Sequence, residues 1–139
     1  MKEQKATKKG RIIFAFLIII IIPAIWFLFL NKNSDVDSVS KKLAGSWLRS
    51  DGTYTITISD VKEDGKMTAT YYNPKPIHVE KALWNLKDAV LQAYVEMNDE
   101  NYRGSYYKLT YDEQNDQLIG SYFQAATKAT YEVEFNKEK

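Results

Sequence analysis

The sequence predicts a small all-β domain, an eight-stranded antiparallel up-and-down barrel, preceded by one N-terminal transmembrane helix. Three observations carry this. An apolar run spans Ile12 to Leu30, apolar and polar residues alternate with period two beyond Gly45, and short turn-rich segments separate the alternating stretches.

The run from Ile12 to Leu30 holds nineteen residues without a charge, amide or hydroxyl. As a helix it would be roughly 28 Å long, close to the ~30 Å hydrocarbon core of a bilayer. Lys2, Lys5, Lys8, Lys9 and Arg11 precede it against Glu3 alone, whereas the residues after Leu30 nearly balance in charge. The positive-inside rule then places the N-terminus in the cytoplasm and the rest of the chain outside. Trp26 and Phe29 fall near the outer interface. The run is longer than the apolar core of a cleaved signal peptide, and no A-x-A site follows it. An uncleaved single-pass signal-anchor is the expectation. With no ionisable side chain inside the span, it reads as an anchor or a docking rod rather than a transport path, and Pro23 as a proline tolerated in lipid.

This divides the chain into a basic cytoplasmic N-terminus (1–11), a transmembrane helix (12–30), a linker (31–44) and an extracytoplasmic β-barrel domain (45–139). The linker is polar, with one short helical turn near Val39 to Leu43. Residues 1–32 carry six basic and one acidic side chain, and residues 33–139 carry thirteen basic and seventeen acidic. An acidic outer domain argues against a nucleic-acid partner. The absence of cysteine excludes disulfides and thiolate chemistry.

The strands follow in order. GSWLRS is the first. Tyr54, Ile56 and Ile58 alternate with threonines in the second, and Met67, Ala69 and Tyr71 mark the third. The fourth is IHVEKALW, whose alternation slips between Val79 and Ala82 and so predicts a bulge near Glu80 and Lys81. Leu91, Ala93, Val95 and Met97 mark the fifth, and Tyr107, Leu109 and Tyr111 the sixth. Ile119, Ser121 and Phe123, then Tyr131, Val133 and Phe135, complete the set. Turns are expected at 62–65, 73–76, 85–88, 98–101, 112–116 and 126–128, most of them rich in Gly, Pro, Asn and Asp. Connections this short allow only antiparallel neighbours. Eight strands close into a barrel whose interior is filled by side chains or holds one small ligand.

Gly45-Ser46-Trp47 resembles the G-x-W motif of the calycin superfamily, which includes lipocalins and avidins and in which the Trp closes one end of an eight-stranded barrel. Asp64-Gly65-Lys66-Met67-Thr68-Ala69-Thr70-Tyr71 is similar to the D-G-x-L-T-G-T-Y of an avidin hairpin. The resemblance implies a calycin-like fold. It does not imply biotin, because Arg49 stands where avidins carry an Asn, and their later tryptophans and final aspartate have no counterparts.

All ten tyrosines lie beyond residue 50. Strand propensity alone accounts for many of them, but a tyrosine-lined cavity would also suit an amphipathic ligand. Tyr54, Ile56, Tyr71, Trp84, Tyr107 and Tyr111 are the candidate wall residues. His78 with Glu80 is short of a zinc site and reads as a surface pair. Asp112, Asn115 and Asp116 read as a solvated turn, and Glu132 with Glu134 as an outer face. No nucleophile, base and orienting group assemble, and no catalytic residue, metal ligand or cofactor is expected. The expected function is a membrane-anchored, non-catalytic accessory or interaction module at the outer face of a cytoplasmic membrane. Other membrane proteins would be its partners, with first contacts on Tyr102 to Tyr111 and the Asn73-Pro74-Lys75-Pro76 loop. The alternative is a tethered lipocalin-like binder of a small apolar or amphipathic molecule.

Overall fold

A computed structural model describes residues 35–139; the expected transmembrane span lies outside them. Among the described residues no helix is long and apolar enough to cross a membrane. Residues 35–43 form helix α1. Nine strands follow: β1 (Gly45–Arg49), β2 (Thr55–Ser59), β3 (Thr68–Asn73), β4 (Lys75–Ile77), β5 (Val79–Lys87), β6 (Val90–Met97), β7 (Tyr106–Asp112), β8 (Gln117–Gln124) and β9 (Ala129–Lys137).

Every pairing is antiparallel, in the sheet order β4-β3-β2-β1-β9-β8-β7-β6-β5. The first and last strands meet through Leu48↔Asn136. At the other seam, Lys66 bridges Leu83, Met67 N–H donates to Ala82 O and Trp84 N–H donates to Gly65 O. The sheet is thus a nearly closed barrel with an up-and-down order.

Nine strands replace the expected eight because the fourth is cut at His78. Its N–H donates to the Asp99 carboxylate at 2.8 Å and its carbonyl accepts from Asn98 N–H at 3.0 Å, so neither serves a sheet ladder. The register shift between Val79 and Lys81 is the anticipated bulge. The turn expected at 85–88 falls later. Strand β5 continues to Lys87, and Asp88 and Ala89, both at positive φ, form a two-residue hairpin.

The side-chain faces follow the sequence pattern except on β8. There Leu118 and Tyr122 point inward while Ile119 is exposed. Phe123 instead joins an outer row, stacked on Tyr106 at 5.1 Å, which in turn lies 5.5 Å from Tyr94. Apolar residues stand on both faces of QLIGSYFQ, so alternation there is ambiguous; pairing of Leu118 with Phe135 and Tyr111 resolves it.

The interior is filled. Trp47, Ile56, Val95, Met97, Tyr107, Leu118 and Phe135 have no exposed surface. Helix α1 stoppers one end and is more than a connector. Its Val39 and Leu43 join the core, and Leu43 O accepts the Trp47 indole N–H at 2.8 Å. Lys137 Nζ donates to the carbonyls of Lys41 and Lys42, lies over the Trp47 ring, and so neutralises the C-terminal end of the helix. Lys42 also pairs with Glu113 at 2.8 Å.

Candidate binding site at the barrel mouth

The strand directions put the β1–β2, β3–β4, β6–β7 and β8–β9 connections at the end opposite α1. There a recess of about 560 Å³ opens, floored by Arg49, Tyr71 and Tyr122 and walled by Tyr54, Tyr102 and Tyr131. Asp51 and Glu132 add carboxylates to its rim, Asn73 and Gln124 amides, and Thr130 a hydroxyl.

Each position follows from its strand. Arg49 ends β1 on the inner side, two residues beyond the buried Trp47, so its guanidinium emerges into the mouth. Nε and Nη2 reach the two Asp51 oxygens at 2.5 and 3.0 Å, a bidentate pair. The guanidinium carbon also lies 4.0 Å from the Tyr54 ring centre, a cation–π contact. Burial works against its charge, but the hydrogen bonds with Asp51 and Tyr107 outweigh that and hold the proton more tightly than usual. The same Arg49 bond holds the Asp51 carboxyl below the ordinary carboxylate range.

Under the recess runs a hydroxyl chain. Arg49 Nη1 donates to Tyr107 Oη at 3.3 Å, and Tyr107 Oη donates to Tyr71 Oη at 3.2 Å. Burial pushes the Tyr107 hydroxyl up to about 12 and that of Tyr71 further above the usual phenol value, so both stay neutral donors at ordinary pH. Rings hold one another in place. Tyr71 stacks with Tyr54 at 6.4 Å and meets Tyr102 edge-on at 5.8 Å, while Tyr107 stacks on Tyr122 at 4.7 Å. Asn73 Nδ2 donates to Tyr102 Oη at 2.5 Å and ties the end of β3 to the β6–β7 loop.

Of the six residues expected to wall a cavity, Tyr54 and Tyr71 line the recess. Tyr107 and Ile56 lie in the packed core. Trp84 and Tyr111 sit toward the other end. Trp84 donates to Lys62 O at 2.9 Å, and Tyr111 packs on Trp47 and bonds Asp116. Tyr102, Tyr122, Gln124 and Tyr131 were not among the six. Tyr122 was hidden by the face ambiguity of β8. Tyr102 lies in a loop where alternation gives no signal.

The other clusters singled out in the sequence are surface features. His78 and Glu80 are 3.7 Å apart and both well exposed. Asp112 accepts from Gln114 N–H and Asn115 Nδ2 within one turn. Among the described residues no group of three or more acidic or histidine side chains could hold a metal ion.

Fold and site together define a class: an up-and-down antiparallel barrel, stoppered at one end and carrying a tyrosine-lined recess at the other. No protein-family model matches the chain, and neither the curated proteins nor the solved structures contain a match to it.

Proposed function

We propose that this chain is a membrane-tethered, non-catalytic recognition module that presents the mouth of its barrel to a small ligand on the outer side of a cytoplasmic membrane. The observation that carries the reading is the recess of about 560 Å³ over an otherwise filled core. That volume suits a ligand of small-molecule size. Its walls are rings already fixed by one another, so binding would cost little side-chain ordering. The mouth also lies at the end of the barrel opposite α1, away from where the chain enters the domain.

The calycin-like resemblance supports a binding role, with one change of emphasis. Lipocalin-like binding would use a deep calyx, whereas here Trp47, Tyr107 and Phe135 occupy the interior, which favours the mouth over the interior for the proposed ligand.

A second reading, the accessory subunit of a membrane complex, draws on the exposed Leu83, Leu86 and Val90 of the β5–β6 hairpin. One experiment separates the two. The full-length chain is extracted from its native membrane in gentle detergent and weighed by native mass spectrometry. A chain carrying a small extra mass, lost in a Tyr102→Ala variant, is the expected result. Co-migration with larger membrane proteins and no small adduct would favour the accessory reading instead.

A further inference from the structure

We infer that the mouth recess takes a neutral saccharide, a proposal that rests on the recognition role above and names its ligand class. A guanidinium has donors and no acceptor. Tyr107 must therefore accept from Arg49, and its own proton is turned to Tyr71. Tyr71 accepts that bond and keeps its proton for something else. Its ring lines the recess. The chain Arg49 → Tyr107 → Tyr71 thus ends on the hydroxyl of a residue that lines the floor of the recess while only 1 % exposed, a donor that a ligand oxygen reaching the floor would meet.

The walls narrow the choice further. An acyl chain needs an apolar sleeve of some depth, and the space below Tyr71 is occupied by Tyr107 and Phe135, neither with any exposed surface. An anion would find Arg49 already held by Asp51 in a bidentate pair, with the Glu132 carboxylate also on the rim. A cation would meet the Arg49 guanidinium, which covers the Tyr54 face at 4.0 Å. What remains is an uncharged ligand with an apolar face for the exposed ring of Tyr131 and many hydroxyls. Asp51, Glu132 and the amides of Asn73 and Gln124 can accept from or donate to such hydroxyls. A pyranose ring has both features: axial C–H groups on one face and equatorial hydroxyls around its edge.

The test uses the full-length chain in a non-glycosidic detergent, since alkyl glycosides would compete. Tyrosine fluorescence and calorimetry follow titration with neutral oligosaccharides of glucose, mannose, galactose and N-acetylglucosamine, beside laurate as an apolar probe. Saturable binding of at least one saccharide is expected. Tyr71→Phe, which keeps the ring and removes the donor, should weaken it by about three- to tenfold. Gln124→Ala, at the rim and away from the core, should weaken it as well. Tyr111→Phe, at the stoppered end, should leave it unchanged. Binding of laurate with no saccharide bound would overturn the ligand class and leave the recognition role standing. Binding of neither would remove both, and saccharide binding indifferent to Tyr71→Phe and Gln124→Ala would place it outside the mouth and overturn the proposal.

Discussion

The Tyr107 hydroxyl donates to the Tyr71 hydroxyl at 3.2 Å, 36 residues away in the chain and across the inside of the barrel. Tyr107 belongs to β7 and Tyr71 to β3, strands that are not neighbours in the sheet. Two phenols facing each other in a core are costly unless paired. Here the pairing is completed by Arg49 on β1, so three strands are pinned beneath the mouth by one chain of hydrogen bonds. This arrangement stiffens the floor of the recess before any ligand arrives.

Alkaline pH should unfold the domain from this point. Burial raises both hydroxyls above the 10.0 of a free phenol, Tyr107 to about 12. A raised folded-state value means that the unfolded chain loses its protons first. The stabilising contribution is fully present below about pH 10 and is lost as pH climbs through the folded-state values. Denaturant midpoints should stay level on this account up to about pH 10 and fall toward pH 12. Tyr107→Phe should make that fall shallower. Tyrosinate absorbance rising early, with no change in midpoint, would contradict the coupling.

Replacing Ala89 by glycine should stabilise the protein. Asp88 and Ala89 have φ of 52° and 63°, the left-handed pair that a two-residue hairpin needs. Alanine is strained there by about 1–2 kcal/mol, and glycine gives back part of the gain through chain entropy. The net expectation is about 0.5–1 kcal/mol, read as a shift in urea midpoint. A decrease would mean the turn is not of this type.

Gly120 should tolerate no side chain. A Cβ built on it would lie 2.1 Å from the Lys108 carbonyl oxygen on the neighbouring strand β7, a backbone atom that cannot swing aside. Gly120→Ala should cost about 1–3 kcal/mol, the usual range for overpacking. Thermal unfolding of the variant beside Ile119→Ala, an exposed neighbour, isolates the effect.

Leu43→Ala tests whether α1 is part of the folded unit. Leu43 has no exposed surface, and its carbonyl receives the Trp47 indole. Truncation of a buried leucine costs about 2–5 kcal/mol. A loss under about 0.5 kcal/mol, the range for surface substitutions, would show that the helix only rests on the barrel.

Strand existence was legible residue by residue. Period-two alternation in Tyr54-Ile56-Ile58 or Leu91-Ala93-Val95-Met97 is local, and these residues turn inward as the pattern requires. The site was legible only in part. Tyr54 and Tyr71 stood out as inward-facing tyrosines, but nothing local separates them from Tyr111, which packs under the stoppered end beside Trp47.

The sequence by itself determined the secondary structure class, the antiparallel order, the bulge after Val79 and the inward face of most strands, because each depends on neighbours a few residues apart. Only the tertiary structure decided where β4 ends, since the bonds that interrupt it come from Asn98 and Asp99, about twenty residues on. It alone decided the face of β8, where both sides are apolar and the partner strands choose. It also decided the recess, because Arg49, Asn73 and Gln124 end three different strands, Tyr102 lies in the β6–β7 connection, and the four meet only when the register of every intervening strand is set. A pattern along one strand carries no information about which loops will share an end of the barrel.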